Sequence, residues 1–154
     1  MHVFEDALFV GTELPAELIR IDGRDRWELI AGRERLSAPG RIRPLSGLGD
    51  GLGRPENISF DRMQSHDGWL YVGTSDYLKM MRTRPVLGRL LEPYMGCDLY
   101  ATRDGVHYTP VMHNGFGDPN NGRVRTLAST PLELFVGTAN ALQGGGVYLG
   151  TPHG

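Results

Sequence analysis

The stretch LYVGT at residues 70–74 occurs twice more in nearly the same form, as LFVGT at residues 8–12 and again at residues 134–138. The copies start at residues 8, 70 and 134, so they lie 62 and 64 residues apart. Self-similarity at a nearly constant spacing indicates that one supersecondary unit is used several times. These five residues therefore mark the start of an alignment of the chain with itself.

The second and third copies stay in register over a longer window without a gap. GLGRPENISFDRMQSHDGWLYVGT begins at Gly51, and GFGDPNNGRVRTLASTPLELFVGT begins at Gly115. Both windows contain a Gly-x-Gly-x-Pro-x-Asn loop, then an apolar run, then LxVGT. We therefore expect an internal repeat in which each loop leads into the same pair of strands.

Two Asp-Gly pairs mark turns that follow the first and second copies of LxVGT. Asp22-Gly23 lies within AELIRIDGRDRWELI, and Asp104-Gly105 lies within CDLYATRDGVHYTPV. Asp-Gly between two apolar runs predicts a β-hairpin, because glycine tolerates the positive φ that tight hairpin turns require. Each complete unit is therefore expected to contain four strands, A to D: the run before LxVGT, LxVGT itself, and the two strands of the hairpin.

Both faces of strand B carry apolar side chains, with Leu70 and Val72 on one face and Tyr71 on the other. Both sides of such a sheet must be covered. Four-stranded antiparallel blades stacked around an axis meet that need, so the sequence predicts an all-β fold that is part of a β-propeller. The Leu and Val positions of LxVGT are expected to be buried on one face, with the aromatic packed against a neighbouring blade: Leu8, Val10, Leu70, Val72, Leu134 and Val136, with Phe9, Tyr71 and Phe135.

The repeat predicts a single propeller segment, 1–154, of about two and a half blades. Its parts are blade 1 at about 1–32, an inter-blade loop at 33–57, blade 2 at about 58–112 with an insertion at 75–96, and blade 3 at about 122–154 without its outer strand. Closed propellers use about four to eight blades. We therefore expect a homo-oligomer, or a second polypeptide carrying the remaining blades, to complete the ring.

The two turns resemble degenerate Asp-boxes, the Ser/Thr-x-Asp-x-Gly-x-Thr-Trp turns of sialidase-like propellers. The similar stretches run from Ile21 to Trp27 and from Thr102 to Tyr108. With LYVGT and the Gly-rich loop, the chain resembles bacterial Asp-box (BNR/sialidase-like) propeller proteins of unassigned function over nearly its full length. The resemblance implies the fold and no activity, since Asp-boxes lie far from the sialidase active site. It implies that Asp22 and Asp104 bond the amides of their own turns.

Composition agrees with this reading and excludes some classes of partner. Glycine is abundant, at 22 of 154 residues, as many short strands require. A formal net charge of −2 gives no reason to expect nucleic acid or an anionic membrane as partner. Cys97 is the one cysteine, so no intrachain disulfide forms. The sequence shows no signal peptide and no membrane-spanning stretch. The cellular location of the protein therefore stays open. A chain cut from a longer secreted parent would be extracellular.

Strand A lines the central channel of a propeller, so its polar side chains are candidates for ligand binding: Arg62, Gln64, Arg125 and Thr126. A basic cluster suits a carboxylate, and Asp61 and Asp67 lie nearby. The Phe-Arg-Ile-Pro signature and a Tyr-Glu pair of sialidases are missing. We therefore expect a non-enzymatic module for ligand binding, protein binding or assembly. The alternative is part of a sialidase-like or other propeller hydrolase or lyase with a composite channel site.

The insertion 75–96 combines cationic and apolar residues and predicts one short amphipathic turn ended by Pro85. It is expected either to cover a blade edge or to bind a partner, in which case the contact residues are Lys79, Met80, Met81, Arg82 and Arg84. We expect no cofactor and no metal. The oxygens of Asn57, Asp118 and Asn121 suit a hard cation such as Ca²⁺, but such residues more often bond their own loop.

Overall fold

Antiparallel hairpins account for most of the regular structure. The computed structural model describes residues 1–38 and 40–150. The strands are β1 (His2–Phe4), β2 (Ala7–Gly11), β3 (Leu18–Ile21), β4 (Trp27–Ala31), β5 (Arg35–Ser37), β6 (Gly40–Ile42), β7 (Asn57–His66), β8 (Trp69–Asp76), β9 (Leu99–Thr102), β10 (Thr109–Met112), β11 (Asn121–Ser129), β12 (Leu134–Asn140) and β13 (Val147–Gly150). The prediction of an all-β fold is confirmed.

The strands form three antiparallel units along the chain. Unit 1 is the four-stranded sheet β1-β2-β3-β4. Unit 2 consists of β7, β8, β9 and β10, and unit 3 of β11, β12 and β13, each strand pairing with the next. Single bridges join the units, at Glu13 with Ser59 and at Ser75 with Arg123, and the second bridge makes units 2 and 3 one seven-stranded sheet.

The units stack in one consistent sense. Leu70 and Val72 of unit 2 are fully buried in a cluster with Phe9 of unit 1, and Leu134 and Val136 of unit 3 are buried in a second cluster against Tyr71 of unit 2. The Leu and Val face of each unit therefore covers the aromatic face of the unit before it.

The predicted burial is wrong for unit 1, where Leu8 and Val10 are only half-buried. The reason is that no earlier unit of the described chain covers their face. At the other end of the stack, Phe135 of unit 3 is half-buried, because no later unit of the described chain covers its face.

The glycine of LxVGT lets the first strand of the next unit come close. A Cβ added to Gly73 would lie 2.5 Å from the Cβ of Val124, and one added to Gly11 would lie 2.5 Å from the Cβ of Phe60. Phe60 and Val124 hold equivalent positions on β7 and β11. Any larger residue would separate neighbouring units, because two carbon atoms cannot approach so closely.

The threonine of LxVGT joins strand B to the start of strand C. Its Oγ1 accepts the backbone N–H of Glu17 in unit 1 at 2.9 Å, of Asp98 in unit 2 at 2.8 Å and of Gly146 in unit 3 at 3.1 Å. In units 2 and 3 the same hydroxyl donates to a buried asparagine, Asn57 or Asn121. A buried hydroxyl needs such partners, since an unpaired one costs free energy.

The segments between the units contain more structure than the sequence predicted. The inter-unit loop forms the hairpin β5-β6 and a short helix, α1 (Asp50–Gly53). The insertion contains a 3₁₀ helix (Leu78–Thr83), helix α2 (Pro85–Leu91) and a 3₁₀ turn (Glu92–Tyr94). The 3₁₀ helix ends at Thr83, just before Pro85, as predicted, and Pro85 begins a second helix that was not predicted, because proline fits the first helical turn.

Unit 3 has three strands in the part of the chain that the structure describes, with β13 at the edge of the sheet. Residues 151–154, which fall within the predicted third blade, lie outside the described residues. Another short 3₁₀ turn (Asn114–Gly117) precedes β11. Across residues 1–38 and 40–150, no helix has the length and apolar character needed to cross a membrane.

We predict that Gly73→Ala lowers the free energy of unfolding by about 1–3 kcal/mol, because the added methyl group must displace Val124. Gly23→Ala is the matched control, since a Cβ there meets no atom within 4 Å. Urea denaturation followed by circular dichroism measures both. Equal stability of the two variants would contradict the close approach of units 2 and 3.

Candidate functional site

A polar cleft of about 290 Å³ lies where the ends of the three units meet. Its lining comes from the end of β2 and the residues after it, from β7 and from β11: Gly11, Thr12, Glu13, Ser59, Phe60, Asp61, Arg62, Arg123 and Arg125. We call it the arginine cleft. Charged side chains of units 2 and 3, together with Glu13, converge on it.

β-Bulges aim two of the charged side chains. On β7 the register shifts between Phe60 and Arg62, so Asp61 has no partner residue on β8. On β11 it shifts between Val124 and Thr126, so Arg125 has no partner on β12. An extra residue in a strand turns its side chain away from the regular alternation. The two bulges lie 64 residues apart, at equivalent positions of units 2 and 3.

The cleft is held by contacts between units 2 and 3. Arg123 Nε lies 2.5 Å from Asp61 Oδ2, and Asp61 Oδ1 accepts the Ser59 hydroxyl at 2.5 Å. Arg62 Nε donates to the carbonyl of Arg125 at 2.8 Å, and its Nη1 donates to the carbonyl of Asp61 at 2.8 Å. These bonds fix Arg62 and Arg123 in place at the junction.

Part of the positive charge is not neutralised. Three guanidinium groups face two carboxylates, those of Glu13 and Asp61. The Arg125 side chain is exposed and has no hydrogen bond or ion pair within residues 1–38 and 40–150. Within the same residues, Arg62 donates hydrogen bonds through Nε and Nη1 but not through Nη2. The arginine cleft therefore offers free donors to an anion.

The structure brings together two of the four predicted channel residues. Arg62 and Arg125 line the cleft, but Gln64 and Thr126 are not part of its lining. Gln64 donates to the carbonyl of Ser65, and Thr126 packs beside Gly137. The β7 residues that border the cleft are Ser59 to Arg62, so Gln64 lies beyond it, and Thr126 is paired with Gly137 on β12.

Sequence reasoning missed Arg123 and Glu13, and it named Asp61 only as a neighbour. Arg123 is equivalent to Ser59 in the repeat, and Glu13 to Ser75, so both replace small polar residues by charged ones at the bridges between units. A change from a small polar residue to a charged one, between equivalent positions of the repeated windows, was the signal that could have identified them.

A second polar cluster surrounds the carboxylate of Asp98, which is closed to solvent. Asp98 is fully buried and accepts hydrogen bonds from Asn57 Nδ2, Tyr100 Oη and the backbone N–H of Asn114 at 2.8–3.1 Å. Arg54 Nε lies 3.1 Å from the same carboxylate. Burial, followed by the charge of Asp98, raises the pKa of Tyr100, which keeps its hydroxyl a donor. The cluster therefore joins loops to unit 2.

The asparagines considered for a cation bond their own loops. Asn57 Nδ2 donates to the carbonyl of Gly51, and Asn121 Nδ2 to that of Gly115. Asp118 accepts the backbone N–H of Asn120 and the amide of Asn140. In residues 1–38 and 40–150, no three His, Cys, Asp or Glu side chains form a group suited to a metal ion.

Asp22 and Asp104 lie in the turns after β3 and β9, beside Gly23 and Gly105. Asp22 Oδ1 accepts the backbone N–H of Arg24 and Arg26. Asp104 Oδ1 accepts those of Val106 and His107, while its Oδ2 lies 2.6 Å from His107 Nδ1. The hydrogen bond from His107, with those from the backbone, holds the pKa of Asp104 well below its usual value.

The candidate partner residues of the insertion lie on the 3₁₀ helix and at the start of α2. Met80 and Arg84 are exposed, and Met81 is half-buried. The side chains of Lys79 and Arg82 lie outside what the structure describes. Further apolar side chains of the insertion are exposed, among them Val86 and Leu90.

Comparison with known proteins identifies no relative: no protein-family model matches the chain, and neither a curated protein nor a solved structure matches it significantly.

We predict that Asp104→Asn lowers the melting temperature at pH 7 and that the difference from the parent protein narrows below pH 4. The folded-state pKa of Asp104 is lowered, so its stabilisation is complete above the unfolded pKa of about 3.9 and is lost as the pH falls towards the folded value. Thermal melts between pH 7 and pH 2.5 measure this. Glu5→Gln, at an exposed turn residue, is the control; a difference for Asp104→Asn that does not change with pH would contradict the prediction.

Proposed function

We propose that the chain is a segment of a β-propeller, and that the arginine cleft at the inner edge of its blades binds a small anionic ligand without catalysis. The observation that carries the proposal is the convergence of Arg62 and Arg125 from two successive units on one cleft, with donors left free. The resemblance to Asp-box propellers of unassigned function agrees with this reading.

The stacking of the units supports a propeller arrangement. Each unit lays its Leu and Val face on the aromatic face of the unit before it. The single bridges between units, Glu13 with Ser59 and Ser75 with Arg123, occur at the same place in the repeat. Units that touch face to face, and meet at one end of their first strands, have the relation of neighbouring blades around a channel. In this arrangement β7 and β11 are innermost strands.

The ends of the stack support an assembly. Leu8 and Val10 at one end and Phe135 at the other are half-buried, although the equivalent residues inside the stack are covered by a neighbouring unit. Further blades stacked on these faces would cover them and complete the channel.

The chemistry of the cleft favours a carboxylate or phosphate group. Guanidinium groups bind both through paired N–H donors, and such charge-assisted hydrogen bonds are stronger than neutral ones. The volume of about 290 Å³ lies near the lower limit of small-molecule sites, about 300 Å³. A ligand of monosaccharide size with one anionic group fits these limits.

Binding is favoured over catalysis by the residues that line the cleft. The described lining contains the carboxylates of Glu13 and Asp61 but no tyrosine or histidine. Asp61 is already engaged by Arg123 and by the hydroxyl of Ser59. A hydrolase or lyase would therefore need catalytic groups from additional blades.

We predict that glucuronate binds the protein, that glucose does not, and that Arg62→Gln and Arg125→Gln each weaken glucuronate binding about tenfold or more. A charge-assisted hydrogen bond contributes about 1.5–3 kcal/mol, and 1.4 kcal/mol corresponds to a factor of ten. Isothermal titration calorimetry measures the affinities.

Glucose 6-phosphate, titrated in parallel, distinguishes a carboxylate site from a phosphate site. Arg89→Gln on α2 is the matched control, since it removes an exposed arginine outside the cleft. Unchanged melting temperatures exclude a loss of fold as the cause. Failure of both anions to bind, or equal weakening by Arg89→Gln, would overturn the proposed site.

A further inference from the structure

The arginine cleft contains a free carboxylate beside its free guanidinium donors. Glu13 belongs to the lining, and its side chain is exposed and forms no hydrogen bond or ion pair within residues 1–38 and 40–150. The other carboxylate of the lining, Asp61, is already engaged by Arg123 and Ser59. Within the described chain, Glu13 therefore remains available to accept a bond from a ligand.

The backbone at Glu13 is held in place at the junction between units 1 and 2. Glu13 itself forms a bridge with Ser59 of β7. Leu14, the next residue, donates its backbone N–H to the carbonyl of Ile58 at 3.0 Å. The free carboxylate is thus carried by a fixed segment of the cleft wall.

The equivalent bridge between units 2 and 3 carries a charge that is neutralised. There the charged residue is Arg123, which lies opposite Ser75 and forms an ion pair with Asp61. At the bridge between units 1 and 2 the charged residue is Glu13, which lies opposite Ser59. No cation pairs with Glu13 in residues 1–38 and 40–150. The first junction therefore lacks the counter-charge that the second one has.

Charges of both signs are thus left unpaired in one cleft of about 290 Å³. Arg125 and Glu13 both line it, and they form no ion pair with each other. A ligand with an anionic group for Arg125 and a cationic group for Glu13 would pair both charges. A neutral hydroxyl beside Glu13 would leave its charge without a counter-charge once the ligand displaces water, and this costs free energy.

We propose that the ligand of the arginine cleft is zwitterionic, an extension that rests on the anion site proposed above. Arg62 and Arg125 bind its carboxylate or phosphate, and Glu13 binds an ammonium group. The chemical class is an amino sugar acid or an amino sugar phosphate. Glu13 then determines specificity, because it distinguishes such a ligand from the analogue with a hydroxyl in place of the amine.

Two pairs of sugars test this, and the members of each pair differ only by a hydroxyl or an ammonium group at C2. The pairs are glucose 6-phosphate with glucosamine 6-phosphate, and glucuronate with 2-amino-2-deoxyglucuronate. Isothermal titration calorimetry at pH 6, where the amines are protonated, measures the four affinities. We expect the amino member to bind about fivefold or more tightly, the scale of an ion pair that stays partly exposed. The pair that binds more tightly identifies the anion as phosphate or carboxylate.

Three protein variants assign the preference to one side chain. Glu13→Gln is expected to abolish it, while glucose 6-phosphate and glucuronate bind at least as tightly as they bind the parent protein. Glu13→Lys reverses the charge and should reverse the preference. Glu5→Gln is the matched control, because it removes an exposed carboxylate outside the cleft, and it should keep the preference. Unchanged melting temperatures exclude a loss of fold.

Equal affinities within both pairs would overturn the zwitterionic ligand and leave the anion site in place. A preference that survives Glu13→Gln would have the same meaning, since Glu13 would then not bind the amine. If none of the four sugars binds, the anion site itself fails, and the assignment of Glu13 fails with it.

Discussion

The close approach of consecutive units at the glycine of LxVGT is the constraint on which the rest of the structure depends. Gly11 and Gly73 leave room for Phe60 and Val124 on the first strand of the following unit. The approach lets each unit lay its apolar face on the one before it and bury Val72 and Val136 between them. Hydrophobic burial then stabilises the stack, because neither face of a single sheet could be covered alone.

Polar contacts fix the geometry that the apolar faces leave free. Hydrophobic contact is non-directional, whereas the hydroxyls of Thr74 and Thr138 must each meet both a backbone N–H and a buried asparagine. The carboxylate of Asp98 also links separate segments, because it accepts hydrogen bonds from Asn57 and from the backbone N–H of Asn114. These directional bonds set the ends of the strands where Arg62, Arg123 and Arg125 converge, so the stability of the junction and the geometry of the cleft have one origin.

The arginine cleft suits a small molecule. It is small and polar and has free guanidinium donors, which favours a small anion. In the proposed propeller, it faces the channel.

The sequence by itself determined the strands of the three units and their order along the chain, because these depend on local periodicity, Asp-Gly turns and a motif, LxVGT, that recurs in the residues. The all-β fold followed from it. The tertiary structure decided which side chains share a site. The bulges at Asp61 and Arg125, the pairing of Arg123 with Asp61 and the burial of Asp98 all arise from contacts between residues distant in the chain. A one-residue bulge redirects a side chain without changing the hydrophobic pattern, so only the packed strands disclose it.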